Sequence, residues 1–108
     1  MNIFHEDIQN RWETFSIFDQ MANIGAEVGR AFVWKKKNNQ DMSKNAFYRS
    51  LELIDFTIND VKNRNRLKEI TRMREMLVDY LAGDNVYKST DETWNKYFYF
   101  FNFAARNK

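Results

Sequence analysis

A chain of 108 residues with 44% hydrophobic and 17% aromatic side chains has enough apolar material for one packed core, since a domain of this length removes roughly two-thirds of its unfolded surface from water. The absence of Cys excludes disulfides, thiolate nucleophiles and Cys-ligated zinc or iron–sulfur sites. The 17 basic and 15 acidic residues leave a formal charge of +2, too even a balance to mark nucleic-acid binding unless charge clusters locally.

Pro is absent and Gly occurs only at positions 25, 29 and 83, so long helices are expected. Phe4, Ile8 and Trp12, spaced four apart, would share one face of a short leading helix over residues 3–13. Ser16 with Asp19 resembles a capping box with Asp in place of Glu, opening a helix from Ile17 to about Lys37. Its apolar stripe is Met21, Ile24, Val28 and Phe32. Beside it Ala22, Gly25, Ala26 and Gly29 form a run of small residues that another helix could approach closely. Lys35, Lys36 and Lys37 suit the negative end of the helix dipole, and Asn38-Asn39 read as a cap and turn.

Phe47, Leu51, Ile54, Ile58 and Val61 alternate spacings of four and three and predict a second amphipathic helix from about Met42 to Asn59. A short polar connection over residues 60–65 leads to Leu67, Ile70, Leu77 and Leu81, widened by Met73, Val78 and Tyr80, a third helix ending at Gly83. Ser89, Thr90 and Asp91 offer N-caps for a last helix from about Glu92, with Trp94, Phe98, Phe101 and Ala105 on one face. Taken alone, the aromatic run 97–101 also suits a strand, but a lone strand would lack a partner. The pattern predicts one all-α domain over residues 1–108, a mainly antiparallel four-helix bundle with a short extra N-terminal helix. No stretch approaches the ~18 apolar residues of a membrane span, and the start carries no export signal pattern. A cytoplasmic protein is expected.

Three surfaces carry candidate chemistry. The segment 94–103 is aromatic on nearly every side, so Trp94, Tyr99, Phe100 and Phe103 are candidates for an interface, most simply in a symmetric homodimer. Lys62, Arg64, Arg66, Lys68, Arg72 and Arg74 crowd the start of the third helix, the end that favours anions; Arg64, Arg66 and Lys68 could meet RNA or DNA phosphates. Glu52 with Asp55, and Glu75 with Asp79, could hold magnesium as in all-α nucleotide hydrolases, or simply pair with Arg30, Arg49, Arg72 and Arg74. The only histidine, His5, has no second His or Cys with which to build a metal or catalytic site. No catalytic residue, resident metal or cofactor is indicated, and the reading leans away from an enzyme.

The run Asn23 to Arg30 (NIGAEVGR), the block Ala46 to Ile58 (AFYRSLELIDFTI) and the stretch Arg66 to Tyr80 (RLKEITRMREMLVDY) resemble a family of small bacterial proteins of unknown function, over about residues 20–106. That resemblance implies a bacterial, helical, cytoplasmic protein and carries no activity with it. More distantly the chain is similar to HEPN-type helical bundles, some of which are RNases or partners of nucleotidyltransferases. Their nuclease motif pairs an Arg with a His a few residues downstream. No His follows position 5 here, so the similarity is to a catalytically inactive member. Ala46 to Leu53 also resembles the second helix of a TPR-like hairpin, as a packing similarity only.

Overall fold

Three of the four α-helices begin where a short polar side chain replaces the missing backbone acceptor. In the computed structural model, which describes residues 11–107, Ser16 Oγ accepts from Asp19 N–H at 3.1 Å, Asn39 Oδ1 from Met42 N–H at 3.1 Å, and Thr90 Oγ1 from Thr93 N–H at 3.1 Å. These caps start α1 (Ile17–Lys36), α2 (Gln40–Asn59) and α4 (Asp91–Arg106). Asp60 caps a 3-10 helix (Val61–Arg66) that runs directly into α3 (Leu67–Ala82). The capping pair at α4 is Thr90 with Thr93, each side chain bonding the other's backbone N–H. The turn between α1 and α2 forms because Asn38 accepts a left-handed backbone, φ 58°, which few other side chains tolerate. No strand occurs among the described residues, so the aromatic run 97–101 is helical. The leading helix expected over residues 3–13 lies almost wholly outside the described residues; Arg11 and Trp12, at its end, are helical.

The four helices pack together, α1 lying against α2 and α4 while α3 packs on α2. Along the α1–α2 seam, Ser43 Oγ donates to the Ala31 carbonyl at 2.8 Å and Arg49 meets Glu27 at 3.4 Å, and from the segment before α1 Trp12 Nε1 donates to Thr57 Oγ1 at 2.9 Å. Numbers rise on one side of this seam as they fall on the other. Along the α1–α4 seam the same relation holds: Phe18 lies against Phe101, Gly25 against Phe98, and Lys36 within 4.0 Å of Asp91. The small-residue run beside the α1 stripe does admit another helix closely, at Gly25. By contrast, α3 and α4 meet through long side chains, Tyr80 donating to Asp91 and Tyr97 to Glu69 at 3.4 Å. Between them a cleft stays open.

Met21, Ile24, Val28 and Phe32 from α1, Leu53 and Ile54 from α2, Ile70, Met73 and Leu77 from α3, and Trp94, Phe98 and Phe101 from α4 are all buried in one core. Fully burying such a side chain is worth ~1.5–3 kcal/mol, so the heptad-like stripes rather than local propensity hold the bundle. Val61 does not join the α2 stripe: the chain has turned into the 3-10 helix, and this side chain is 76% exposed.

The connection after α2 is the part of the fold that departs most from its sequence pattern. Residues 60–65 read as a solvated link, yet Asp60 and Asn63 are buried. Asn63 Nδ2 donates to Gln20 Oε1 at 2.8 Å and to the Thr57 carbonyl at 3.0 Å. Gln20 Nε2 in turn donates to Asp60 Oδ2 at 2.8 Å and to the Trp12 carbonyl at 2.9 Å. Lys62 closes the knot from outside, its Nζ on Asp60 and on the Glu13 carbonyl. Burial by itself would raise the Asp60 pKa, but donation from Lys62 and Gln20 outweighs it and holds the carboxyl below its ordinary value. Buried polar groups of this kind are tolerated because every member finds a partner.

Candidate interaction surface

Helix α4 has two aromatic faces, and the 3.6-residue period separates them. Trp94, Phe98 and Phe101 turn inward; Tyr99, Phe100 and Phe103 turn outward and are 60%, 59% and 53% exposed. Tyr99 and Phe103 lie one turn apart with ring centroids at 6.4 Å, and Phe100 stands beside them against Phe101 at 5.1 Å. Trp94 does not belong to this outward surface: it is 5% exposed and stacks on Phe98 at 5.9 Å. The same outward stripe runs from Glu92 and Lys96 at one end to Arg106 at the other, all exposed. Aromatic surface rimmed by charged side chains is an unusual thing to leave in water.

The basic start of α3 is largely committed within the molecule. Arg66 pairs with Glu69 at 3.2 Å and lies 5.9 Å over the Phe18 ring. Arg74 forms a forked contact with Asp55, at 2.8 and 3.4 Å. Arg72 lies over the Tyr87 ring at 5.9 Å, and Lys62 belongs to the polar knot. Of the three residues expected to touch phosphates, Arg64 and Lys68 are exposed and make no ion pair among the described residues, while Arg66 is engaged. The charge is unfavourable at a helix N-terminus only until these internal acids are counted.

The acidic candidates also find other work. Asp79 accepts from the N–H groups of Val86 at 2.9 Å and Tyr87 at 3.1 Å, one per carboxylate oxygen. Glu75, one turn away, accepts from the Tyr87 hydroxyl, a bond that is the first cause of that phenol's raised pKa. The two like charges on one ridge therefore grip the loop 83–90 through hydrogen bonds, a third use beside the magnesium or arginine partners that their spacing suggested. Asp55 is held by Arg74, so α2 and α3 are tied by an inter-helix ion pair. Among the described residues no group of three or more His, Asp or Glu is placed to hold a metal ion. His5 lies outside the described residues. No helix among them is long and apolar enough to cross a membrane.

Two features escaped the sequence pattern. The polar knot of Gln20, Asp60 and Asn63 is assembled from residues 43 positions apart, and only the scarcity of charge around Gln20 within an apolar stretch hinted at it. The α3–α4 cleft depends on how far two helices stand apart, which no local spacing encodes. No protein-family model matches the chain, and neither does any curated protein or solved structure.

Proposed function

We propose that this protein is a non-enzymatic interaction module, a mainly antiparallel four-helix bundle that forms a homodimer through the outward face of α4. The observation that carries the reading is the contiguous exposure of Tyr99, Phe100 and Phe103. A second copy suits this stripe because it is self-complementary. With the two-fold axis perpendicular to α4 and near Tyr99, the two helices run antiparallel and the Tyr99, Phe100 and Phe103 stripes of the two copies lie against each other. In that register Glu92 of each copy faces Arg106 of its mate, and the helix dipoles oppose.

The size of the surface sets the strength. With ~150–250 Å² per aromatic side chain, three rings more than half exposed present roughly 350 Å² per copy, or about 700 Å² for the pair. Stable specific interfaces bury ~1,200–2,000 Å², so even with the stems of Lys96 and Arg106 added the dimer is weak, with a Kd of about micromolar or above.

Light scattering over a range of concentrations tests this. The wild type is expected to pass from monomer to dimer, and Phe100→Asp with Phe103→Asp to stay monomeric with an unchanged helical spectrum. Glu92→Arg or Arg106→Glu alone should weaken the dimer, and the two together restore it. A wild type that remains monomeric at millimolar concentration refutes the proposal.

A further inference from the structure

Two glycines stand one turn apart on the α4 side of α1, and only one of them is explained from within the chain. Gly25 makes room for Phe98, whereas a Cβ added at Gly29 would meet nothing within 4 Å. A glycine inside a helix costs up to about 1 kcal/mol relative to alanine, so Gly29 weakens α1 with no packing gain inside the bundle. It lines a groove of about 650 Å³ between α1 and α4, together with Ala26 and Val33 from α1 and Asn95 from α4. Val33 is 50% exposed. The charged groups at the edge of the groove are paired within the chain, Arg30 with Glu27 at 3.1 Å and Lys36 with Asp91 at 4.0 Å.

We propose that this groove seats the Phe103 ring of a second copy, so that the dimer interface joins the α1–α4 groove to the aromatic stripe of α4. The inference rests on the α4 dimer proposed above and names what completes it. With the two-fold axis perpendicular to α4 near Tyr99, a residue that follows Tyr99 comes level with the one equally far before Tyr99 in the mate. Arg106 thus comes level with Glu92, and Phe103 with Asn95, the α4 wall of the groove. Asn95 lies one turn before Tyr99, so groove and stripe form one continuous surface. Space is ample, since a cavity of ~150 Å³ already holds a benzene ring. Val33 and Ala26 offer the ring apolar contact, and the missing side chain of Gly29 lets it approach the helix backbone. The stripe alone presents roughly 700 Å² for the pair, short of the ~1,200 Å² at which stable interfaces begin. Seating Phe103 covers more of its ring and adds the groove walls, once in each copy by symmetry. Because Arg30 and Lys36 already have acidic partners, the ring displaces water without stranding a lone charge.

Gly29→Leu fills the groove at a position where the fold has room and where leucine favours the helix. In light scattering it should raise the dimer Kd by about tenfold or more, since two rings lose their seats, while the urea midpoint of the dilute monomer stays at or above that of the wild type. A mixture of ¹³C-labelled and unlabelled wild type at millimolar concentration gives a reading that needs no groove variant. An isotope-filtered NOE is expected between the Val33 methyls of one copy and the Phe103 ring of the other, lost in Phe103→Leu. A dimer that Gly29→Leu leaves as tight as before, or one without that cross-peak, overturns the inference and assigns the groove to another occupant or to none, with the α4 dimer still standing. A wild type that is monomeric at millimolar concentration overturns both.

Discussion

Phe98 lies directly on Gly25: a Cβ added at position 25 would stand 2.8 Å from both Cβ and Cγ of the phenylalanine. Nothing at that distance can be relieved by a flexible tip, because the atoms concerned are the root of a buried side chain. The glycine is therefore what lets α4 settle onto α1 with Phe98 in the core.

Gly25→Ala must push α4 outward or force Phe98 off its rotamer. A loss of about 1–3 kcal/mol is expected, the usual cost of overpacking, and it outweighs the gain of up to ~1 kcal/mol from replacing a mid-helix glycine. Gly29→Ala, at a position where nothing lies within 4 Å, should instead be neutral or stabilising. Urea unfolding of the two variants side by side checks the contrast.

The polar knot predicts a pH dependence. Asp60 has a folded-state pKa below its ordinary value of 3.8, so its contribution to stability is complete above that value and is lost as pH falls from there through the folded pKa. Denaturation midpoints for the wild type should drop as pH falls below 3.8, and Asp60→Asn should flatten that acid limb. Asn63→Ala, which strips the donor from Gln20 Oε1, should cost about 1–3 kcal/mol at neutral pH.

An opposite limb is expected in alkali. Burial, then the Asp91 carboxylate, push the Tyr80 phenol up to about 12, so the folded state keeps a proton that the unfolded chain releases near 10. Stability from this group is complete below that value and is lost as pH rises toward 12. Tyr80→Phe should weaken this alkaline dependence, read from melting curves across the range.

Asp79 holds the loop 83–90 by two backbone donors. Asp79→Ala should speed amide exchange at Val86 and Tyr87 by about tenfold or more, leaving α1 and α2 protected. Chelators should change nothing in the wild type; protection that depends on added magnesium would return the acidic ridge to metal binding.

With Arg66, Arg72, Arg74 and Lys62 engaged internally, Arg64 and Lys68 are left to meet phosphates. Any duplex binding should then show a logarithmic salt slope of about −2 or shallower. Fluorescence anisotropy over a salt series gives the slope, and a steeper one would favour a nucleic-acid partner.

What the amino-acid sequence determined by itself is the set of helices and their inward faces. Ser16, the Asn38-Asn39 pair, Gly83 and Thr90 mark ends through bonds made within a few residues, and the stripes through Ile24, Ile54, Ile70 and Phe98 follow from a 3.6-residue period. Local chemistry is legible because its partners are near in the chain. The acids were legible only as a choice between metal and arginine, and the choice for Asp79 fell to a third partner, the backbone of a loop seven and eight residues away. Tertiary structure alone decided that no other helix among the described residues covers Tyr99, Phe100 and Phe103, that Asp60 and Asn63 are buried, and that α3 and α4 stand apart around a cleft. Each of these depends on the distance and rotation between helices, a balance of contacts summed over the whole core rather than written in any one segment.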